Sequence, residues 1–209
     1  MWHITEHAAD GRRALSPAAF ESQFLAVCAG HRAQGRALAF AFILFDSRHP
    51  HLRKALEDDA YWEALDELSG RYLTVFSFLA YLRNRSPDAP LHGVRAMVSI
   101  PRLTSETPID LLATYFPGLS REQLPCILFF QVSNDAVIDS CAVSLGPSTD
   151  PAAAYNEIAD VLQTAIKSIG RVEDENASNA PEIYNLIASA LSDRERKNRA
   201  LRVYRGLAN

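Results

Sequence analysis

A nine-residue apolar segment, ALAFAFILF at residues 37–45, constrains the fold of this chain more than any other feature. It is the longest apolar run in the sequence, and it is far shorter than the roughly 20 residues that a membrane-spanning helix needs. An unbroken apolar run of this length is typical of a strand that is buried on both faces. The sequence therefore predicts a sheet whose faces are both covered.

Composition and cysteine usage limit the compartment and the partners. The 209 residues are 48% apolar and 22% charged, with a net charge of −4, which argues against binding nucleic acid over the whole surface. The three cysteines, Cys28, Cys126 and Cys141, are odd in number and include no CxxC pair, as expected in a reducing compartment. Residues 1–7 lack the basic and apolar regions of a signal peptide. A cytoplasmic protein is predicted, with no membrane partner.

Helical and strand patterns alternate along the chain. Roughly the first 15 residues are polar and unpatterned, and we expect them to form a mobile arm. Periodicity and turn residues then predict helices at 16–30, 50–68, 107–116, 151–169 and 181–205, and strands at 37–45, 71–79, 94–100, 126–132 and 137–145. This order predicts an α/β fold that contains a parallel βαβ unit and an antiparallel hairpin closed at Asn134-Asp135.

The element order between residues 36 and 170 resembles the thioredoxin-like fold. In that family a cis proline directly precedes the third main strand and lies beside the active site, and Pro125 occupies the matching place before Cys126. The resemblance implies a thioredoxin-like mixed sheet with an extra helix at each end. It divides the chain into an N-terminal arm and helix (1–35), a core (36–170), and an acidic linker with a basic C-terminal helix (171–209).

The motif that carries the family's redox chemistry is absent. The resemblance places a CxxC pair just after the first strand of the core, where a helix start activates the attacking thiol. This chain has Arg48 and His51 in the positions of the two thiols, within Asp46-Ser47-Arg48-His49-Pro50-His51. Dithiol–disulfide oxidoreductase activity is therefore predicted to be absent.

Three polar residues of the same turn offer a different chemistry. Asp46, His49 and His51 follow a buried strand, at the edge where α/β folds place ligands, and they could bind a metal or move a proton. Alternatively, Asp46 simply ends the strand and both histidines are exposed in the first helical turn. No further ligand follows at a metal-site spacing, so neither a metal nor another cofactor is predicted.

Cys126 has two interpretations as well. It is either a small buried side chain or a lone reactive thiol at the sheet edge where α/β folds place ligands. A two-residue turn at Asn134-Asp135 would pair Cys126 with Val143. Cys141 would then be a diagonal neighbour on the same face, about 7–8 Å away and too distant for easy bridging.

The predicted C-terminal helix combines an apolar stripe with a basic end. Ile183, Ile187 and Leu191 must pack on the core, on a second copy or on a partner. Arg196, Arg199 and Arg202 belong to a basic stretch that could contact phosphates or an acidic partner, or could simply complement the helix dipole. The acidic side of the predicted 50–68 helix is a complementary candidate for this basic end.

These observations favour a redox-inactive, thioredoxin-like protein that acts as a protein-interaction or scaffold module. We expect a protein partner, or self-association through the terminal helices, with Arg48, Pro125, Arg196, Arg199 and Arg202 as contact residues. The alternative is a small-molecule enzyme, or a ligand or metal binder, that uses Asp46, His49, His51 and Cys126. Nucleic-acid binding is the least favoured interpretation.

Overall fold

A computed structural model describes residues 1–7, 17–35, 37–70, 72–79, 97–101, 112, 115–116, 118–133, 136–170 and 180–207. The predicted irregular stretch at 80–93, most of the predicted 107–116 helix and the linker at 171–179 lie outside these residues. The strands are β1 (Trp2–His7), β2 (Ala39–Leu44), β3 (Leu73–Leu79), β4 (Met97–Pro101), β5 (Cys126–Ser133) and β6 (Ala136–Ser144). The helices are α1 (Pro17–Ala33), α2 (Pro50–Glu57), α3 (Asp59–Ser69), α4 (Pro151–Ile169) and α5 (Ala180–Leu207).

The six strands form one mixed sheet in the order β4-β1-β3-β2-β5-β6. The first four strands in this order run parallel, β5 runs antiparallel to β2, and β6 returns antiparallel to β5. The predicted α/β class is therefore confirmed, with β2, α2, α3 and β3 as the parallel unit and β5 and β6 as the antiparallel hairpin.

The N-terminus differs from the prediction of a mobile arm. Residues Trp2–His7 form β1, in which Ile4 pairs with Phe78 on one side and with Val98 on the other. Met1 is buried, and its ammonium group contacts the carboxylate of Asp66. A six-residue strand with few apolar residues gives little sequence signal, and its pairing partners lie some 70 or more positions away. The arm prediction is therefore wrong for this segment.

The predicted 50–68 helix is two helices that meet at Asp58. The backbone of Asp58 is extended (φ −82°, ψ 120°), and its Oδ1 accepts hydrogen bonds from the N–H groups of Ala60 (3.0 Å) and Tyr61 (3.2 Å). Aspartate is a favoured N-cap because its carboxylate satisfies N–H groups at a helix start. Apolar periodicity continues across such a break, so the pattern alone predicts one helix.

One face of the sheet carries an aromatic core. Phe24 and Cys28 of α1 cover it, together with Leu112, Phe116 and Leu119. The sheet contributes Phe40, Phe42, Leu44, Phe76, Cys126, Leu128, Phe130 and Val132 to this cluster. Residues 37–45 are therefore buried on one side by α1, as a strand with two covered faces requires.

The opposite face is covered by α2, α3, α4 and α5. In α5, Ile183, Ile187 and Leu191 are buried in the same cluster as the strands beneath them. Of the three partners that the sequence leaves open for this stripe, the structure therefore selects the chain's own core. Self-association cannot use these three side chains while α5 stays packed.

Arg194 fixes α5 to α4. Its side chain is only 10% exposed, and its guanidinium lies 3.1 Å from Glu157 Oε1 and 2.8 Å from Asp160 Oδ2. The first basic residue of the C-terminal stretch thus pairs with α4. Its placement differs from the expected pairing of the basic end with the acidic side of the 50–68 segment.

Candidate functional site

The turn between β2 and α2 lies beside the start of β5. Leu44 pairs with Cys126, which brings Pro125 next to Phe45 at the same sheet edge. The Leu124–Pro125 peptide bond is cis, as the resemblance implies. The carbonyl oxygen of Pro125 accepts a hydrogen bond from the N–H of Leu145 at 2.8 Å, so this segment is tied to the end of β6.

Asp46 and Arg48 form the best-connected pair of the turn. The backbone N–H of Arg48 donates to Asp46 Oδ1 at 2.9 Å, while its Nε and Nη2 lie 2.8 Å and 2.7 Å from Oδ2. The guanidinium hydrogen bond is the main reason that the pKa of Asp46 is lowered, and the same contact raises the pKa of Arg48. Asp46 therefore favours the folded state at neutral pH, and this contribution is lost as the pH falls through its lowered pKa.

His49 contacts the same carboxylate. Its Nδ1 lies 2.9 Å from Asp46 Oδ1 and 3.4 Å from the Asp46 N–H. A protonated Nδ1 donates to the carboxylate, whereas an unprotonated Nδ1 accepts from the N–H group. The His49 side chain is 20% exposed. When the carboxylate holds Nδ1–H, Nε2 is the nitrogen that can exchange a proton with a ligand.

His51 belongs to a different neighbourhood from Asp46 and His49. Hydrogen bonds from Ala153 and Thr149 are the main reason that the pKa of Asp150 is lowered, and the nearby His51 adds a smaller electrostatic effect. Asp150 is the N-cap of α4, accepting from the Ala153 N–H at 2.8 Å. The His51 Nδ1 is buried and has no hydrogen-bond partner in the described structure. The sequence shows Asp150 as a cap but gives no sign that α4 begins near His51.

No metal centre emerges from the placed side chains. Over the residues that the structure describes, no three His, Cys, Asp or Glu side chains are grouped so that they could hold an ion. The two histidines of the turn have different carboxylate neighbours, and this separates them chemically.

The hairpin register corrects the predicted relation between two cysteines. Ser133 pairs with Ala136 as expected, but a bulge shifts the register between Val132, which pairs with Val137, and Gln131, which pairs with Asp139. Cys126 consequently pairs with Ser144, and Cys141 pairs with Phe129. A one-residue shift moves side chains to the opposite face. Cys141 therefore packs against the core opposite the one that contains Cys126.

All three thiols are unpaired and poorly suited to ionise. Burial raises the pKa of Cys126 to about 12 and, as the largest effect, that of Cys141 to about 11. Burial also raises the pKa of Cys28 well above its usual range. Because the thiolate is the nucleophile, Cys126 has the properties of an inert core residue.

We expect the folded protein to resist thiol modification. At neutral pH, a disulfide reagent such as DTNB should react with the buried Cys28 and Cys126 at least about 100-fold more slowly than with a free thiol, because burial blocks both access and ionisation. The half-buried Cys141 should also react more slowly than a free thiol, because its raised pKa opposes ionisation. After unfolding in urea, all three should react at the free-thiol rate. Rapid reaction of one native thiol, traced to Cys126 by peptide mapping, would contradict this and restore the reactive-thiol interpretation.

The C-terminal arginines lie apart from the turn in the described contacts. Arg196 is exposed, and its Nη2 and Nε lie 2.9 Å from Asp193 Oδ1 and 3.4 Å from the Ser192 carbonyl oxygen of its own helix. Arg199 and Arg202 occupy later positions of α5, and their side chains lie outside the described structure. Among the predicted contact residues whose side chains the structure describes, Arg48 and Pro125 lie at one sheet edge, and Arg196 lies on α5.

Comparison with protein-family models, with curated proteins and with solved structures gives no match. Within the described ranges, none of the helices combines the length and apolar character needed to cross a membrane.

Proposed function

We propose that this chain is a thioredoxin-like protein without redox function that acts as a protein-interaction or scaffold module. One observation carries the proposal: from β2 to the end of α4 the chain combines a parallel β-α-β unit with an antiparallel hairpin and a closing helix, which is the element order of that fold, and Pro125 lies at the sheet edge where α2 begins.

The residues at the dithiol positions support the loss of redox function. Thiol–disulfide exchange needs a thiolate that attacks and a second thiol that resolves the mixed disulfide. Arg48 and His51 occupy those two positions. The three cysteines of the chain are elsewhere, and their raised pKa values oppose ionisation. Unpaired thiols also fit a reducing cytoplasmic compartment, which we include in the proposal.

The turn has features of a contact surface. The Arg48 side chain is 66% exposed, yet its guanidinium is held in place by Asp46. An arginine that is ordered before binding loses less conformational entropy when a partner arrives, and arginine is enriched at interface hot spots. Arg48 and Pro125 are therefore the proposed contact residues at this edge, and Arg196, Arg199 and Arg202 are those of α5.

A binding experiment with matched variants tests this role. Wild type, Arg48→Ala and Arg53→Ala are immobilised and exposed to extract from the native cell, and retained proteins are compared by quantitative mass spectrometry. Arg53 is the control because it is also an exposed arginine, paired only loosely with Glu57 at 3.7 Å. We expect a partner that is retained by wild type and Arg53→Ala but reduced at least about tenfold with Arg48→Ala. Equal retention by all three would count against the turn as a contact surface.

A second candidate function follows from the Asp46–His49 contact. A carboxylate that holds Nδ1 of a histidine is a common way to prepare Nε2 as a general acid or base, so the turn could serve a small-molecule ligand or substrate. Turnover that is lost in His49→Ala but kept in His51→Ala would favour this candidate over the interaction role.

A further inference from the structure

Charge is divided between the two sides of the helical layer that covers one face of the sheet. In this layer α4 contacts α5 on one side and α2 and α3 on the other. Helix α5 lies over β5 and β6, whereas α3 lies over β3 on the other half of the sheet. The outer sides of α3 and α5 are therefore separated by α4 within one molecule.

The outer side of α3 is acidic. We define the acidic surface as Asp59, Glu63 and Glu67, which are all exposed and follow one another at a spacing of four residues. Like charges at this helical spacing repel each other. In the described structure none of these three carboxylates has a cation within ion-pair distance. A cationic partner on this surface would remove the repulsion.

The far end of α5 is basic. We define the basic end as residues 195–207, which contain five basic residues and one acidic residue. Helix α5 contacts α4, and Arg194 in the second half of α5 pairs with Glu157 and Asp160 in the first half of α4, so we take the two helices as antiparallel neighbours in this register. The basic end then continues for about 20 Å, whereas only about 9 Å of α4 remains between Glu157 and Pro151. It therefore extends past the start of α4.

We propose that the chain self-associates head to tail, with the basic end of one copy against the acidic surface of α3 in the next. The two surfaces have opposite charge, and within a single molecule α4 lies between α3 and the packed part of α5. Because the contact joins two different surfaces, it leaves one of each free on the complex and can add further copies. This inference rests on the proposed interaction role and names a second copy of the chain as its partner.

Charge reversal tests the contact in the full-length chain. Sedimentation velocity of wild type in about 20 mM salt should give a weight-average mass at least about 1.5-fold above the 23.1 kDa monomer, falling to the monomer value in about 500 mM salt. The variants Glu63→Lys with Glu67→Lys, and Arg199→Glu with Arg202→Glu, should each be monomeric in low salt. An equimolar mixture of the two should associate again, because each variant then supplies the charge that the other lacks.

Glu122→Lys is the control, since Glu122 is exposed in a short 3₁₀ helix (Arg121–Gln123) that is outside both surfaces. It should associate like wild type, and circular dichroism should show every variant to be folded. The inference is overturned if wild type is monomeric in low salt, if either reversal leaves association intact, or if the mixture stays monomeric. Salt-sensitive binding of a DNA duplex through Arg199 and Arg202, without self-association, would likewise overturn it. With any of these outcomes, binding of a different protein that is lost in Arg48→Ala would still support the proposed interaction role.

Discussion

Replacing Phe42 by alanine should lower the free energy of unfolding by about 3–5 kcal/mol, the usual cost of removing a buried phenylalanine. Phe42 is fully buried in β2. Its ring centroid lies 5.3 Å from that of Phe24, 5.2 Å from those of Phe76 and Phe130, and 6.0 Å from that of Phe116. These rings belong to α1, β3, β5 and the segment before the 3₁₀ helix Arg121–Gln123, so the substitution leaves a cavity where four parts of the chain meet.

Urea unfolding followed by circular dichroism measures this loss. Ile138→Ala is the matched control, because Ile138 is 41% exposed on β6 and a surface substitution of this kind should change stability by less than about 0.5 kcal/mol. A loss below about 1 kcal/mol for Phe42→Ala would show that the aromatic cluster does not form the core of this face.

The parts of the fold that the sequence predicts are those with a strong local signal. The unbroken apolar run at 37–45 becomes β2, and the run before Asn134-Asp135 becomes β5. Proline after an N-cap residue correctly predicts where α2 and α4 begin. Each of these features depends on residues that are close together in the chain.

Features that depend on distant contacts are not visible in the sequence. β1 is stabilised by pairing with β3 and β4, which lie far along the chain. The bulge in β6 adds a residue without changing the apolar pattern, so the expected positions of Cys126 and Cys141 on one face are wrong. Asp58 caps α3 inside a continuous apolar periodicity, and only the backbone shows the break.

The candidate site also has one part that the sequence predicts and one part that it does not. Arg48 and His49 both contact Asp46 within a single turn, so this grouping can be predicted from sequence spacing. His51 is in the same six-residue segment, yet it lies near Asp150, about 100 positions later. The tertiary packing of α2 against α4 brings the two residues near each other, and no local pattern indicates it.

The largest change in activity should come from supplying a dithiol at the positions where the proposed fold would carry one. In the variant Arg48→Cys with His51→Cys, one thiol precedes the N-cap His49 and the other lies in the first turn of α2. The Arg53 N–H donates to the His49 carbonyl at 3.2 Å, so the helix is already formed at this point. A thiolate at a helix start is stabilised by the helix dipole and by free N–H groups, which lowers the thiol pKa. We therefore expect an intramolecular disulfide that dithiothreitol reduces and that can then exchange with disulfides of other proteins.

The carboxylate of Asp46 should limit the rate of disulfide exchange by the double cysteine variant. Once Arg48 is gone, the negative charge of Asp46 lies close to the new thiolate and raises its pKa. Adding Asp46→Ala should therefore increase the exchange rate further. A variant with Arg48→Ser and His51→Ser serves as the control, since it makes the same positions small and polar without supplying thiols.

The central claim is that this sheet edge has thioredoxin-like geometry and has lost its thiols. Its most direct test is the rate at which insulin disulfides are reduced in the presence of dithiothreitol. Wild type and the serine control should not exceed the rate without protein, and the double cysteine variant should exceed it at least about tenfold. The claim would be contradicted if the folded double cysteine variant formed no disulfide between positions 48 and 51 and left the rate at background. It would be contradicted equally if wild type itself reduced insulin.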